Sequence, residues 1–143
     1  GMTRTSAASR QRPTRFDSPL QEVYLGLWRT YDRLKAIEDE LFNEHDLTAQ
    51  QYNVLRLLAH SDPQPLPTLE VASKLVSRAP DITRMIDKLE QRGLVRRERQ
   101  AGDRRVVHVG ITNAGRELLD RLRQPLRECH ERQLGHLSRG ELK

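Results

Sequence analysis

Residues 97–112 read RERQAGDRRVVHVGIT. A tight turn, Gln100-Ala101-Gly102-Asp103, stands between Arg97 and Arg99 on one side and Arg104, Arg105 and the alternation Val107, Val109, Ile111 on the other. Apolar residues alternating about a glycine-containing turn predict a short β-hairpin. With four guanidiniums around its tip, such a hairpin is either an edge protected by charge or a tool for touching polyanions. The flanking sequence decides between the two.

Just upstream, Ile82, Met85, Ile86 and Leu89 form one narrow apolar face on a helix expected to start at Pro80. Gly93 is placed to end it as the residue just past the last turn, with Leu94 and Val95 packing behind. Ahead of the turn Ser77-Arg78-Ala79, Thr68 is expected to cap a short helix through Leu75, with Leu69, Ala72, Leu75 and Val76 as its apolar side. Thr48-Ala49-Gln50-Gln51 is a capping box opening a helix with Tyr52, Val54, Leu55, Leu57 and Leu58 inward, and the proline-rich run from Ser61 to Pro67 ends it. Downstream, Thr112 opens a long helix with the arc Leu118, Leu119, Leu122, Leu126, Cys129 and Leu137, which Pro125 is expected to bend or end. Two short helices joined by a turn and followed by a hairpin predict a winged helix-turn-helix, mainly α with a small two-stranded β wing.

The first helix points to a second copy of the chain. Ser18 caps it, Pro19 takes its first position and Gln21 completes a capping box. Leu20, Val23, Tyr24, Leu27, Trp28, Tyr31, Leu34, Ile37, Leu41 and Phe42 fill half its circumference, whereas one neighbour needs a stripe of only about 100°. Lys35 and Glu38 interrupt that arc. A two-fold dimer built from the terminal helices supplies the second neighbour. The expected organisation is a basic arm over 1–16 (Gly1 before Met2 reading as a residue left by tag removal), a dimerisation helix over 17–46, a DNA-binding domain over 47–111 and a C-terminal dimerisation helix over 112–143. Ser138-Arg139-Gly140-Glu141 is a further capping box announcing another helix, so either the chain is expected to continue past Lys143 or the dimer is built mainly from the first and fifth helices.

The charge is segregated. The net +5 divides into +4 over 1–16, −5 over 17–46, zero over 47–77, +4 over 78–105 and +2 over 106–143. Arginine outnumbers lysine 21 to 4, and its planar fork suits phosphate and guanine. No apolar run approaches the ~18 residues a membrane span needs, and the lone Cys129 suits a reducing cytosol.

In a helix-turn-helix the second helix lies in the major groove. The face opposite its apolar residues presents Pro80, Thr83, Arg84, Asp87 and Lys88, with Asp81 at its edge. Arg84 is the candidate for a bidentate guanine contact. Ser77, Arg78 and Thr83 suit phosphates or base edges, and Pro80 a thymine methyl. On the hairpin, Arg97, Arg99, Arg104 and Arg105 are the candidates for the neighbouring minor groove. Asp103 is expected to aim Arg105 through a carboxylate–guanidinium fork.

The run from Leu75 to Leu119, with TRMIDKLEQRGLVRR, the DRR of the hairpin and the restart ITNAG, resembles the MarR family of winged-helix transcriptional regulators. The resemblance extends over the chain from Leu20 onward. It implies that Asp103 and Arg105 are the wing pair, that residues 80–89 form the recognition helix, and that the terminal helices build a homodimer reading an inverted repeat. It also implies a regulator, more often a repressor than an activator, whose affinity for double-stranded DNA responds to a small aromatic, often anionic, ligand. Tyr24, Trp28, Tyr31, Glu38 and Tyr52 are the candidates for that pocket, although most such residues serve plain packing. Cys129 falls mid-arc and reads as core. His130 and His136 are too far apart to share a helix face as ligands, so neither a metal site nor a cofactor is expected. An adaptor that has lost DNA binding is the first rival, and the retention of Arg84, Arg104 and Arg105 argues against it. An enzyme is the second, and no nucleophile–base pair or phosphate-binding loop supports one.

Overall fold

The computed structural model describes residues 16–143, so all of the expected basic arm except Phe16 lies outside the described residues. The elements run α1 (Pro19–Glu44), α2 (Ala49–Ser61), β1 (Leu66–Pro67), α3 (Thr68–Lys74), α4 (Ile82–Gln91), β2 (Val95–Gln100), β3 (Asp103–Ile111) and α5 (Asn113–Leu134). The strands form one antiparallel sheet in the order β1-β3-β2, so the wing has a third strand beyond the expected hairpin. Leu66 pairs with Val109 and Pro67 with His108. Two residues in a proline-rich run offer no alternation to recognise, and Pro67 has no N–H to give, which confines this short strand to an edge.

Contacts divide the chain between Lys35 and Ala36. In the N-terminal unit Leu20, Val23, Tyr24, Leu27, Trp28 and Tyr31 are all more than half exposed, and Tyr24 meets Trp28 edge-on at 6.3 Å. In the second unit the end of α1 buries Leu41 and Phe42 beside Val54, Leu55 and Leu58 of α2, Val71, Ile86, Leu89, Val109, Ile111, Leu118, Leu122 and Cys129. Burial pushes the Cys129 thiol up, away from the reactive thiolate, as suits a core residue.

Local chemistry sets the ends of these elements. At Thr48 both halves of the box form: its hydroxyl accepts from the Gln51 N–H at 3.1 Å, and Gln51 Oε1 accepts from the Thr48 N–H at 3.0 Å. Ser18 makes only half of its box. It accepts from the Gln21 N–H, but the Gln21 side chain takes the N–H of Asp17 instead. Gly93 ends α4 with φ +71°, the Leu94 N–H returning to the Leu89 carbonyl and the Gly93 N–H to that of Glu90. Pro125 lies inside α5 without ending it. Ser138 and Glu141 exchange both bonds of their box, and turns rather than a helix follow within the described residues.

Two expectations on the short helices fail. Thr68 does not cap α3: Pro67 precedes the helix, and the Thr68 hydroxyl donates to the Val107 carbonyl at 3.2 Å, tying α3 to the sheet. The inward residue is Val71, fully buried, while Leu69 and Val76 are each 82% exposed. Likewise α4 starts at Ile82, leaving Pro80 and Asp81 in the turn ahead of it.

A staple crosses the fold between residues far apart in sequence. Arg116 Nε and Nη2 donate to the two carboxylate oxygens of Asp62 at 2.7 and 2.8 Å, pinning the proline-rich segment to the start of α5. The hydrogen bonds from Arg116 hold the Asp62 carboxyl below its ordinary value. A pKa lower in the folded state than in the unfolded one gives stability that is present above the unfolded value and fades as pH falls through the folded one. Asp62→Asn is therefore expected to lower the melting temperature at pH 7, with the gap from wild type closing as the pH is taken below about 4. Thermal scans across pH check this. A gap that does not narrow in acid would mean the carboxylate charge is irrelevant.

Candidate nucleic-acid interface

The turn before α4 is held from outside. Gln50 Nε2 of α2 donates to Ser77 Oγ and to the Arg78 carbonyl, both at 3.2 Å, fixing the segment in which the two helices change direction. Arg92, past the end of α4, donates to the carbonyls of Asp46 at 2.6 Å and His45 at 3.1 Å. With Ile86 and Leu89 in the core, the outer face of α4 is left to Thr83, Arg84 and Lys88, all exposed or partly so. Arg84 is 74% exposed and lies 3.6 Å from Asp81, a loose pair that constrains it little. Ser77, Arg78 and Pro80 lie in the preceding turn. The structure thus brings Ser77, Arg78, Pro80, Asp81, Thr83, Arg84 and Lys88 onto one connected stretch.

The hairpin is paired from Val95↔Ile111 to Arg99↔Val107, and then jumps to Gln100↔Asp103. Arg104, Arg105 and Val106 bulge out of the ladder, and both arginines are exposed. Arg99 Nη1 donates to the Arg104 carbonyl at 2.5 Å across the base of that bulge. The expected fork between Asp103 and Arg105 is replaced by a local turn, in which Asp103 Oδ1 accepts from the backbone N–H of Arg105 at 3.1 Å. A side-chain acceptor bonding the N–H two residues on is an Asx-turn, so Asp103 shapes the bulge and leaves the Arg105 guanidinium to solvent.

Arg97 departs furthest from its expected place. Its side chain is only 24% exposed, with Nη1 2.5 Å from Asp87 Oδ1 and 3.2 Å from Glu90 Oε1. It bridges strand and helix instead of extending the free charge of the wing. The sequence held a signal for this, because alternation puts Arg97 on the same side of β2 as the buried Val95. A groove of about 570 Å³ runs between α3, α4 and the wing, with Leu69, Thr83, Asp87, Arg99 and Arg105 among its walls.

The ligand candidates separate. Tyr24, Trp28 and Tyr31 belong to the N-terminal unit, Glu38 and Tyr52 to the other. Tyr52 stacks on Phe42 at 5.0 Å, and burial raises its phenol, Arg56 opposing and Glu38 adding to the effect. It also lines a groove of about 790 Å³ between α2 and α5, whose walls combine Leu119, Leu126 and Leu134 with Arg56, Arg123 and Arg127. Among the described residues, no three His, Cys, Asp or Glu side chains gather to hold a metal ion, and no helix is long and apolar enough to cross a membrane.

Comparison with known proteins places the chain in a family. The sequence model of the MarR family matches residues 47–107. A crystal structure of a MarR transcription factor from Planctomyces limnophilus is similar at 58% identity, covering 90% of this chain and 93% of that one with a TM-score of 0.75. The HTH-type transcriptional regulator MhqR of Bacillus subtilis is 32% identical over 69% of this chain and 67% of its own length. A structure of Bordetella bronchiseptica BpsR, whose DNA binding is regulated by 6-hydroxynicotinic acid, is 27% identical, covering 84% of this chain and 89% of that one with a TM-score of 0.71.

Proposed function

Since the chain belongs to the MarR family of DNA-binding winged-helix transcriptional regulators, we propose that it acts as a homodimeric repressor of an inverted-repeat operator. In this reading α4 enters the major groove and the bulged wing tip the adjacent minor groove. The observation that carries it is the placing of Arg84 and Lys88 on the free face of α4 together with Arg104 and Arg105 on an exposed bulge of the neighbouring hairpin. Asp87 and Glu90 of α4 share the Arg97 guanidinium, which offsets one of their two negative charges. Two-fold pairing is supported by the six large apolar side chains exposed along the first half of α1. Two recognition helices about 34–36 Å apart then read half-sites one helical turn apart.

We further assign effector binding to the groove between α2 and α5. Its apolar walls and three arginines suit an aromatic carboxylate, the chemistry of the molecule that regulates BpsR.

Fluorescence anisotropy on the DNA upstream of the protein's own gene tests the whole reading. Binding should be specific, fall steeply between low and moderate salt as counterions are released, and be reversed or strengthened by an aromatic carboxylate. Binding that is absent or insensitive to salt would favour the protein-binding adaptor. Arg84→Ala is expected to cost about 1–3 kcal/mol and to relax base preference at one position per half-site. A uniform loss across all operator variants would demote Arg84 to a backbone contact.

A further inference from the structure

Thr83, Asp87 and Glu90 recur at helical spacing along one side of α4, from its first turn to its last, about 10 Å of helix axis. Arg97 lies across that stripe. Nη1 reaches both carboxylates, Nη2 donates to the Thr83 carbonyl at 3.0 Å, and the Arg97 backbone N–H donates to Glu90 Oε2 at 2.9 Å. One residue of the wing thereby holds both ends of the helix. The start of α4 lacks another local anchor of this kind, for Asp81 makes no side-chain capping bond.

We infer that Arg97 is a positioning residue, which fixes the rotation of α4 against the hairpin so that the faces carrying Arg84 and Lys88 and the bulge carrying Arg104 and Arg105 meet a duplex as one rigid body. This inference rests on the DNA-binding geometry proposed above. Rotation matters because a bidentate base contact tolerates little angular error, whereas a phosphate contact adapts. The planar fork also matters, because a guanidinium serves two carboxylates and a carbonyl at once, and an ammonium on a flexible stem does not hold the three in place. Arg97 has a second effect on the same surface. By pairing with Asp87 and Glu90 it offsets one of their two negative charges beside the proposed path of the phosphates.

The rival role is direct contact, in which Arg97 leaves its carboxylates for a phosphate when DNA arrives. The two roles make opposite demands on lysine, which replaces arginine well as a point charge on phosphate and poorly as a fork. The experiment is Arg97→Lys in the full chain, with operator and non-specific affinities measured across salt concentration and amide hydrogen exchange measured without DNA. Operator affinity is expected to fall about tenfold while non-specific affinity and the salt slope stay as in wild type. Exchange over residues 82–87 should quicken with α5 unchanged. In an Asp87→Asn, Glu90→Gln background, Arg97→Lys should have a smaller effect, because only the Thr83 carbonyl and neutral acceptors remain for the fork to hold. Operator affinity kept intact would overturn the inference in favour of direct contact. Unchanged exchange over α4 would overturn it whatever the DNA result. Quickened exchange in a protein that fails to bind its upstream DNA even as wild type would sink the DNA reading and leave the clamp standing.

Discussion

Replacing Gly115 with alanine is expected to destabilise the fold by about 2–3 kcal/mol and to lower its melting temperature by roughly 10 °C. Gly115 is buried three residues beyond the cap of α5, where the helix crosses the junction of the wing with α4. The Thr112 N–H donates to the Leu94 carbonyl at 3.1 Å, and the Thr112 hydroxyl donates to the Gly93 carbonyl at 2.6 Å while accepting from the Gly115 N–H at 3.1 Å. A β-carbon on Gly115 runs into the Leu94 carbonyl oxygen and lies 2.7 Å from Ile111 Cγ1. Helix propensity argues the other way, since alanine is better than glycine in a helix by up to about 1 kcal/mol. Steric conflict wins here because the obstacle is backbone already engaged in a hydrogen bond, not the end of a flexible side chain. Calorimetry on the purified variant checks this, and a melting temperature within about 2 °C of wild type would show that the junction yields.

The features legible in the sequence are those whose cause is local. The Thr48 box, the glycine ending α4, the cap at Thr112 and the hairpin turn are each decided within six residues, and each stands where local chemistry puts it. The apolar phase of a helix is legible only over enough turns. On α4 the four residues Ile82, Met85, Ile86 and Leu89 fix it correctly, whereas α3 has seven residues, and the set Leu69, Ala72, Leu75 and Val76 misses the buried Val71 and includes two exposed residues, although Leu75 does pack against the core. What covers α3 is a sheet whose third strand has no local signature.

At the site, composition gives the arginines but not their employment. Arg97, Arg99 and Arg105 look alike in RERQAGDRR, yet one reaches back across α4, one closes the base of a bulge and one stands free. The difference comes from partners 7 to 14 residues away for Arg97, and from 54 residues away for the Asp62–Arg116 staple. A hint exists for Arg116. A cation in the first turns of a helix opposes the helix dipole and calls for an acid nearby, but nothing local says which acid. Gln50 gives no hint at all: it makes neither bond of the Thr48–Gln51 box, and nothing near it in sequence announces the turn at Ser77 that folds against it.

Arg105→Ala is expected to weaken operator binding about a hundredfold while leaving the melting temperature within about 1 °C of wild type. In a two-fold complex each substitution removes two guanidiniums, and taking one charge-assisted hydrogen bond from each half-site adds up to an effect of that size. Folding is untouched because the part of Arg105 that the fold uses is its backbone N–H, bonded to Asp103 Oδ1, and alanine keeps that N–H. The log–log salt slope should become shallower by roughly 2 if both tips neutralise phosphates, since each such neutralisation accounts for about 0.9. Asp103→Ala separates shape from charge at the same tip. It removes the acceptor that organises the bulge and keeps every guanidinium, so affinity should fall less and the slope should not change. Binding titrations of both variants against one operator across a range of salt concentrations read out the contrast. If Arg105→Ala lowers stability as much as affinity, the residue belongs to the fold; if Asp103→Ala flattens the slope as Arg105→Ala does, the carboxylate acts by placing the charge itself and not merely by ordering the chain beneath it.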